Sequence, residues 1–110
     1  MITRTAIFEG RVTPGKEEDF FGAVESRLAP MWADFPGACN VRWFRVNDAD
    51  ADAAPIAMIQ QVDYPSRAAL AAAIASPQRD RARALTLELM QMFEGRFYHL
   101  ISGQDELVNT

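Results

Sequence analysis

Thiols and imidazoles are nearly missing from this chain, which holds one cysteine, Cys39, and one histidine, His99, in 110 residues. An internal disulfide is therefore impossible, which fits a reducing compartment, and a cytoplasmic location is expected. Zinc takes three or four protein ligands, and the nitrogens and sulfurs for it are not there, so no metal site is expected. The six glycines are scattered, leaving no phosphate-cradling loop, dinucleotide fingerprint or nucleophile elbow, and no cofactor is expected. No apolar run approaches the ~20 residues that cross a bilayer, and MITRTAIFEGRV lacks the apolar stretch of an export signal. Basic residues are outnumbered, 11 Lys and Arg against 15 Asp and Glu, so no basic face is expected for nucleic acid.

What the chain does have is apolar mass, 49% hydrophobic residues with 24% charged, enough for one domain over 1–110 with a single core. Its most telling stretch is CNVRWFRVN, Cys39–Asn47, a strand by its β-branched and aromatic content. Strand side chains alternate, so Cys39, Val41, Trp43, Arg45 and Asn47 share one face and Asn40, Arg42, Phe44 and Val46 the other. Each face carries an aromatic and an arginine, which predicts a cover on both sides, with Trp43 and Arg45 under the helices and Phe44 and Arg42 toward a partner.

Around this strand the periodicity predicts six further elements. Ile2–Val12 reads as a strand. Three acids, Glu17, Glu18 and Asp19, then suit the start of a helix, whose stripe is Phe20, Val24, Leu28, Met31 and Phe35, with a kink expected near Pro30. Asp48, Asp50 and Asp52 suggest calcium, but the glycine and glutamate that an EF-hand loop needs are Ala53 and Ile59 here, so the loop reads as a solvated hairpin. Ile56–Asp63 is the next strand, where Gln60 and Gln61 interrupt the apolar run and imply polar neighbours or a ligand. Ser66 and Ser76 each open a helix, the second with Pro77 at its first position. Leu85, Leu89 and Met92 or Phe93 form its apolar stripe, Arg79, Arg81 and Arg83 its solvated side, and Gly95 its stop. Arg96–Ser102 closes as a strand, followed by a QDELVNT tail expected to be loose or docked on a partner.

The order β-α-β-β-α-β is the α+β, ferredoxin-like arrangement, one four-stranded antiparallel sheet with helices on one face. Its bare face would expose Trp43 or Phe44, Ile7, and Ile59 or Met58, so a homodimer packed sheet to sheet is expected, burying more than roughly 1,200 Å². VTPGKEEDFF after the first strand, Pro36-Gly37 before the second, and Ala69-Leu70 followed by Ser76-Pro77 resemble the antibiotic biosynthesis monooxygenase family of the dimeric α/β-barrel superfamily. The resemblance implies that fold, the dimer, and a cofactor-independent oxidation of quinols or polyketides. Two polar positions of the family pattern differ, a glutamate being Val62 and a histidine Ala73, while the aromatic is kept as Tyr64.

For chemistry the chain offers His99 as the one imidazole able to deprotonate a phenol or enol. Trp43 and Arg45 could stack an aromatic ligand and pair its anionic group, with Trp32 and Tyr64 lining the same cleft. The expected function is binding of an apolar or aromatic metabolite, with monooxygenase-like or isomerase chemistry at His99. The alternative is a binding or assembly module that has lost the site, for which Val62 and Ala73 speak. A buried cavity above roughly 300 Å³ with His99 or Arg45 in its wall favours the first, and a filled core the second.

Overall fold

In the computed structural model, which describes residues 1–103, a four-stranded antiparallel sheet carries every helix on one face. The order along the chain is β1 (Ile2–Val12), α1 (Glu17–Ala23), a π-helical turn (Val24–Leu28), α2 (Ala29–Ala33), β2 (Cys39–Arg45), β3 (Ile56–Tyr64), α3 (Arg67–Ile74), α4 (Pro77–Leu89), a 3₁₀ turn (Met90–Met92) and β4 (Phe93–Gly103). The strands lie in the order β2-β3-β1-β4, the ferredoxin-like topology expected. The QDELVNT tail lies outside the described residues. Among the described residues no helix is long and apolar enough to cross a membrane.

The helices bury one parity of each strand. Ala6 and Phe8 of β1, Met58 of β3, and Phe93 of β4 meet Phe20, Val24 and Leu28 from the first helical arm and Leu85 and Leu89 of α4. Phe20 stacks on Phe93 at 5.6 Å, and Phe8 stacks on Phe97 at 5.5 Å, so aromatic pairs bridge helix to sheet and strand to strand. A second cluster of Val62, Tyr64, Leu70 and Ala73 seals the end under α3.

The kink expected at Pro30 takes the form of a π turn just before it. Proline has no N–H for the turn behind it and its ring crowds that turn. The chain responds with a wider turn in which the N–H of Ala29 reaches the carbonyl of Val24. Widening also solves a spacing problem. Phe20, Val24, Leu28 and Trp32 recur every four residues, a step that overshoots an α-helical turn by about 40° each time. The π turn absorbs much of that drift, so Trp32 is buried while Met31, placed in the stripe by periodicity, is only half-buried.

Two further boundaries differ from the sequence reading. Cys39 pairs with Asp63, whereas Arg42 pairs with Gln61, so β2 carries an irregularity at Asn40, whose φ of 51° is left-handed. Cross-strand partners share a face, and Cys39 therefore lies on the face away from the helices, opposite to Trp43 and Arg45. Gly95 does not end a helix; it sits inside β4, directly opposite Gly10 of β1. Both have positive φ, and a Cβ on Gly95 would come within 2.0 Å of the Glu9 carbonyl oxygen. The two strands approach too closely there for a side chain on either.

The face away from the helices is organised in rows. Phe44, Ile59, Ile7 and Tyr98 stand side by side across all four strands. The next row is polar and internally bonded: Arg42 donates to Gln61, and Gln61 donates to Thr5. Beyond it Asp63 accepts from Thr3 and Asn40 and lies 3.2 Å from Arg42, and the first of these hydrogen bonds heads the causes that hold its carboxyl below the usual range. Phe44 remains 51% exposed and Leu100 52%.

The glycine pair gives a direct check. Gly95→Ala is expected to lose about 2 kcal/mol or more in urea unfolding, from backbone overlap and strain. Gly22→Ala, in α1 where an added Cβ meets nothing within 4 Å, should gain about 0.5–1 kcal/mol from helix propensity. Equal effects would contradict the close approach of β1 and β4.

Candidate ligand cleft

Between the sheet and the helices lies a cleft whose floor comes from β1, β3 and β4 and whose roof comes from α2, the loop after it, and α4. Small residues make the room: Ala6 on the floor faces Ala82 and Thr86 of α4. Aromatic walls stand around them, with Trp32 and Phe35 on the helical side and Phe8 and Phe97 on the sheet. The opening measures about 430 Å³ counting its mouth, and its enclosed part about 40 Å³. That is room for on the order of three waters. The cleft is a slot, and its enclosed part is smaller than the roughly 300 Å³ of a typical ligand pocket.

Charge in the slot is one-sided. Arg4 projects from β1, Arg79 and Arg83 from α4, and among the described residues no Asp or Glu lines it. Of the three arginines expected on the solvated side of their helix, Arg81 and Arg83 are exposed and Arg79 is half-buried, and Arg79 and Arg83 also flank the cleft while Arg81 does not. The reason is geometric, since Arg79, Ala82, Arg83 and Thr86 follow the three-and-four spacing of a single helix face. Long arginine stems can cover that face while their charged ends reach the mouth. Arg79 has a contact of 3.8 Å to the mostly exposed Asp80. Among the described residues, Arg4 and Arg83 have no carboxylate within 4 Å.

His99 stands in the same slot, half-buried on β4 opposite Ala6, with its ring edge-on to Phe97 at 5.9 Å. Burial, then the charges of Arg4, Arg79 and Arg83, push its pKa down to about 4. It is therefore a neutral imidazole at neutral pH, able to accept a proton or a hydrogen bond. Burial and the neighbouring Arg79 likewise lower Arg4 from its ordinary value. Gln60 is only 5% exposed, and its amide joins no side-chain hydrogen bond among the described residues. No fully buried polar side-chain atom there is left without a partner, so what the amide still exposes opens on the cleft.

The residues singled out by sequence thus separate. His99 and Trp32 meet in the slot. Trp43 and Arg45 do face the helices, as the alternation of β2 predicts, but they border a different, shallow hollow against α1. There Trp43 stacks nearly parallel to Phe21, and the Arg45 guanidinium sits 4.0 Å from the centre of the Phe21 ring. Glu17, Glu18 and Glu25 share that hollow, an arrangement that opposes an anion. Tyr64 is 1% exposed in the cluster under α3 and does not line the slot; burial raises its pKa. Arg4, Arg79 and Arg83 were not singled out, although the stripe spacing of the last two was visible in the sequence.

No protein-family model and no curated protein matches the sequence. Solved structures do match over nearly the whole chain. An ethyl tert-butyl ether degradation family protein from Bacillus halodurans C-125 superposes with a TM-score of 0.73 at 15% identity, covering 96% of this chain and 99% of its own. SnoaB, a cofactor-independent oxygenase from Streptomyces nogalater, gives 0.62 at 17% identity, covering 99% and 97%. A dimeric ferredoxin-like protein of unknown function from Thermobifida fusca gives 0.61 at 17%, covering 94% and 90%. Antibiotic biosynthesis monooxygenase structures stand among the matches as well. At these identities the likeness is one of fold.

The environment of His99 predicts a pH signature. Its pKa is about 4 folded and about 6.5 unfolded, so between these values the unfolded chain binds a proton that the fold excludes. Stability is then lost as pH falls from about 6.5 toward 4. In urea unfolding, the stability of the native chain minus that of His99→Gln should decrease across this window; a constant difference would contradict the buried, cation-flanked placement.

Proposed function

We propose that this chain binds a small aromatic metabolite in the slot between sheet and helices and oxidises it without a cofactor. The observation that carries this reading is the convergence of His99 and Gln60, neither hydrogen-bonded to a described residue, with aromatic walls in one opening. Buried polar groups are ordinarily paired within the protein or with water, and groups aimed together into a cleft suit a ligand. His99, neutral at working pH, accepts the proton of a phenol or enol, and the resulting electron-rich carbon reacts with dioxygen. For oxidation of a ring methylene to a ketone, one oxygen atom enters the product and the other leaves as water. Trp32 stacks on the substrate, and Trp43 and Arg45 stand outside this site.

A binding module without turnover is the second reading, and two observations favour it. The enclosed part of the slot falls short of the roughly 300 Å³ of a typical ligand pocket. Val62 and Ala73, which occupy positions where the resembling family carries polar residues, are buried at 3% and 1% in an apolar cluster. Oxygen uptake with a panel of quinols and anthrones separates the two. Turnover that falls at least tenfold in His99→Ala supports the oxygenase; no uptake with any member while ligands still bind supports the module.

The open sheet face supports a homodimer. The Phe44, Ile59, Ile7 and Tyr98 row is an apolar band with no cover from the other described residues, and its polar neighbours already satisfy one another, so both can be buried at low cost. Sedimentation velocity at micromolar concentration should show a dimer, and Phe44→Asp should shift it to monomer while Phe44→Leu does not. A native monomer at that concentration would refute the assembly.

A further inference from the structure

We infer that the ligand of this cleft is an aromatic carboxylate, its ring held between Trp32, Phe35 and Phe97 and its carboxylate received by Arg4, Arg79 and Arg83. The inference rests on the proposed reading of the slot as a ligand site and adds the charge and shape of what enters. Around this one opening stand three guanidinium groups with no carboxylate in its lining, in a chain whose net charge is -4. Like charges brought together at a partly desolvated site repel one another, and an acidic protein has carboxylates to spare for neutralising them. None is placed there among the described residues. Among the described residues Arg79 has only the long contact to Asp80, whose side chain is 69% exposed, and the remaining two have none.

An incoming carboxylate relieves that repulsion, and guanidinium groups can grip its two oxygens side by side. Bare inorganic anions would use the charge but not the walls. The aromatic lining and the narrowness of the slot select a flat apolar body instead, and Gln60 and His99 supply an amide and a neutral acceptor for a hydroxyl on the ring. Arg79 and Arg83 stand on the rim, on long rotatable stems, so the slot can widen by their rotation without moving the sheet.

Calorimetry on the full chain, with 2-naphthoate against its neutral analogue 2-naphthamide, tests the inference. The naphthoate should bind at least tenfold more tightly, weaken as salt rises, and quench the emission of Trp32. The Arg79→Gln/Arg83→Gln double variant, altered only on the outer part of α4, should lose at least tenfold for naphthoate and little for naphthamide. Arg81→Gln, pointing away from the cleft, should change neither. Equal affinity for acid and amide, an equal loss in Arg81→Gln, or inorganic phosphate binding as tightly as naphthoate would overturn it. Because binding is read without turnover, a preference for naphthoate stands even where no quinol consumes oxygen. Oxygen uptake with neutral substrates and no preference for the acid would sink this inference and leave the oxygenase.

Discussion

Successive side chains of a strand go to opposite sides of the sheet, and in this protein the helices cover only one of them. Every strand is therefore divided between an interior that the helices provide and a surface that the described residues leave open. On the helical side the division yields the aromatic core and the slot. On the other side it yields a hydrogen-bonded polar row beside an apolar one, Arg42–Gln61–Thr5 next to Phe44–Ile59–Ile7–Tyr98. A polar row that bonds within itself adds little penalty to burying the face, and the apolar row supplies the drive to bury it.

Within the helical side, a slot exists because packing is uneven. Elsewhere under the helices Phe20, Val24 and Met58 fill the space almost completely. Where Ala6 faces Ala82 and Thr86, the side chains are too short to meet, and what surrounds the gap is long, cationic and rooted at the edge. The same geometry explains His99. A histidine on β4 next to Phe97 is sheltered enough to lose much of its hydration, and the guanidinium groups above it make protonation harder still. Neutrality of the imidazole and positive charge of the rim are thus two results of one arrangement.

Much of the fold was legible because it follows from local rules. Strand alternation put Trp43 and Arg45 on one face, Ser66 and Ser76 cap the helices they were read to open, and Phe97, His99 and Ile101 fall together as spaced. What escaped the sequence depends on contacts between distant residues. Gly95 reads as a helix stop until its opposite number proves to be Gly10, eighty-odd positions away. Asn40 reads as an ordinary strand residue, and only the pairing with β3 reveals the extra residue there. The arginines of α4 were the costliest omission for the site. Alternating charge suggested a wet face, whereas Arg79 and Arg83 share a stripe with Ala82 and Thr86, and no sequence window says what that stripe overlooks.

The π turn between α1 and α2 carries one residue more than a plain α-helix would need to join the same two ends. Length can therefore change by one at this point with Phe20 and Phe21 on one side, and Trp32 and Phe35 on the other, keeping their places. A relative one residue shorter between positions 24 and 28 would present the same wall to its cleft through an unbroken helix. In aligning such chains the gap belongs inside the helix, against the habit of placing gaps in loops. Put elsewhere, it would set Trp32 beside a residue that faces solvent and hide an equivalence that the two structures share.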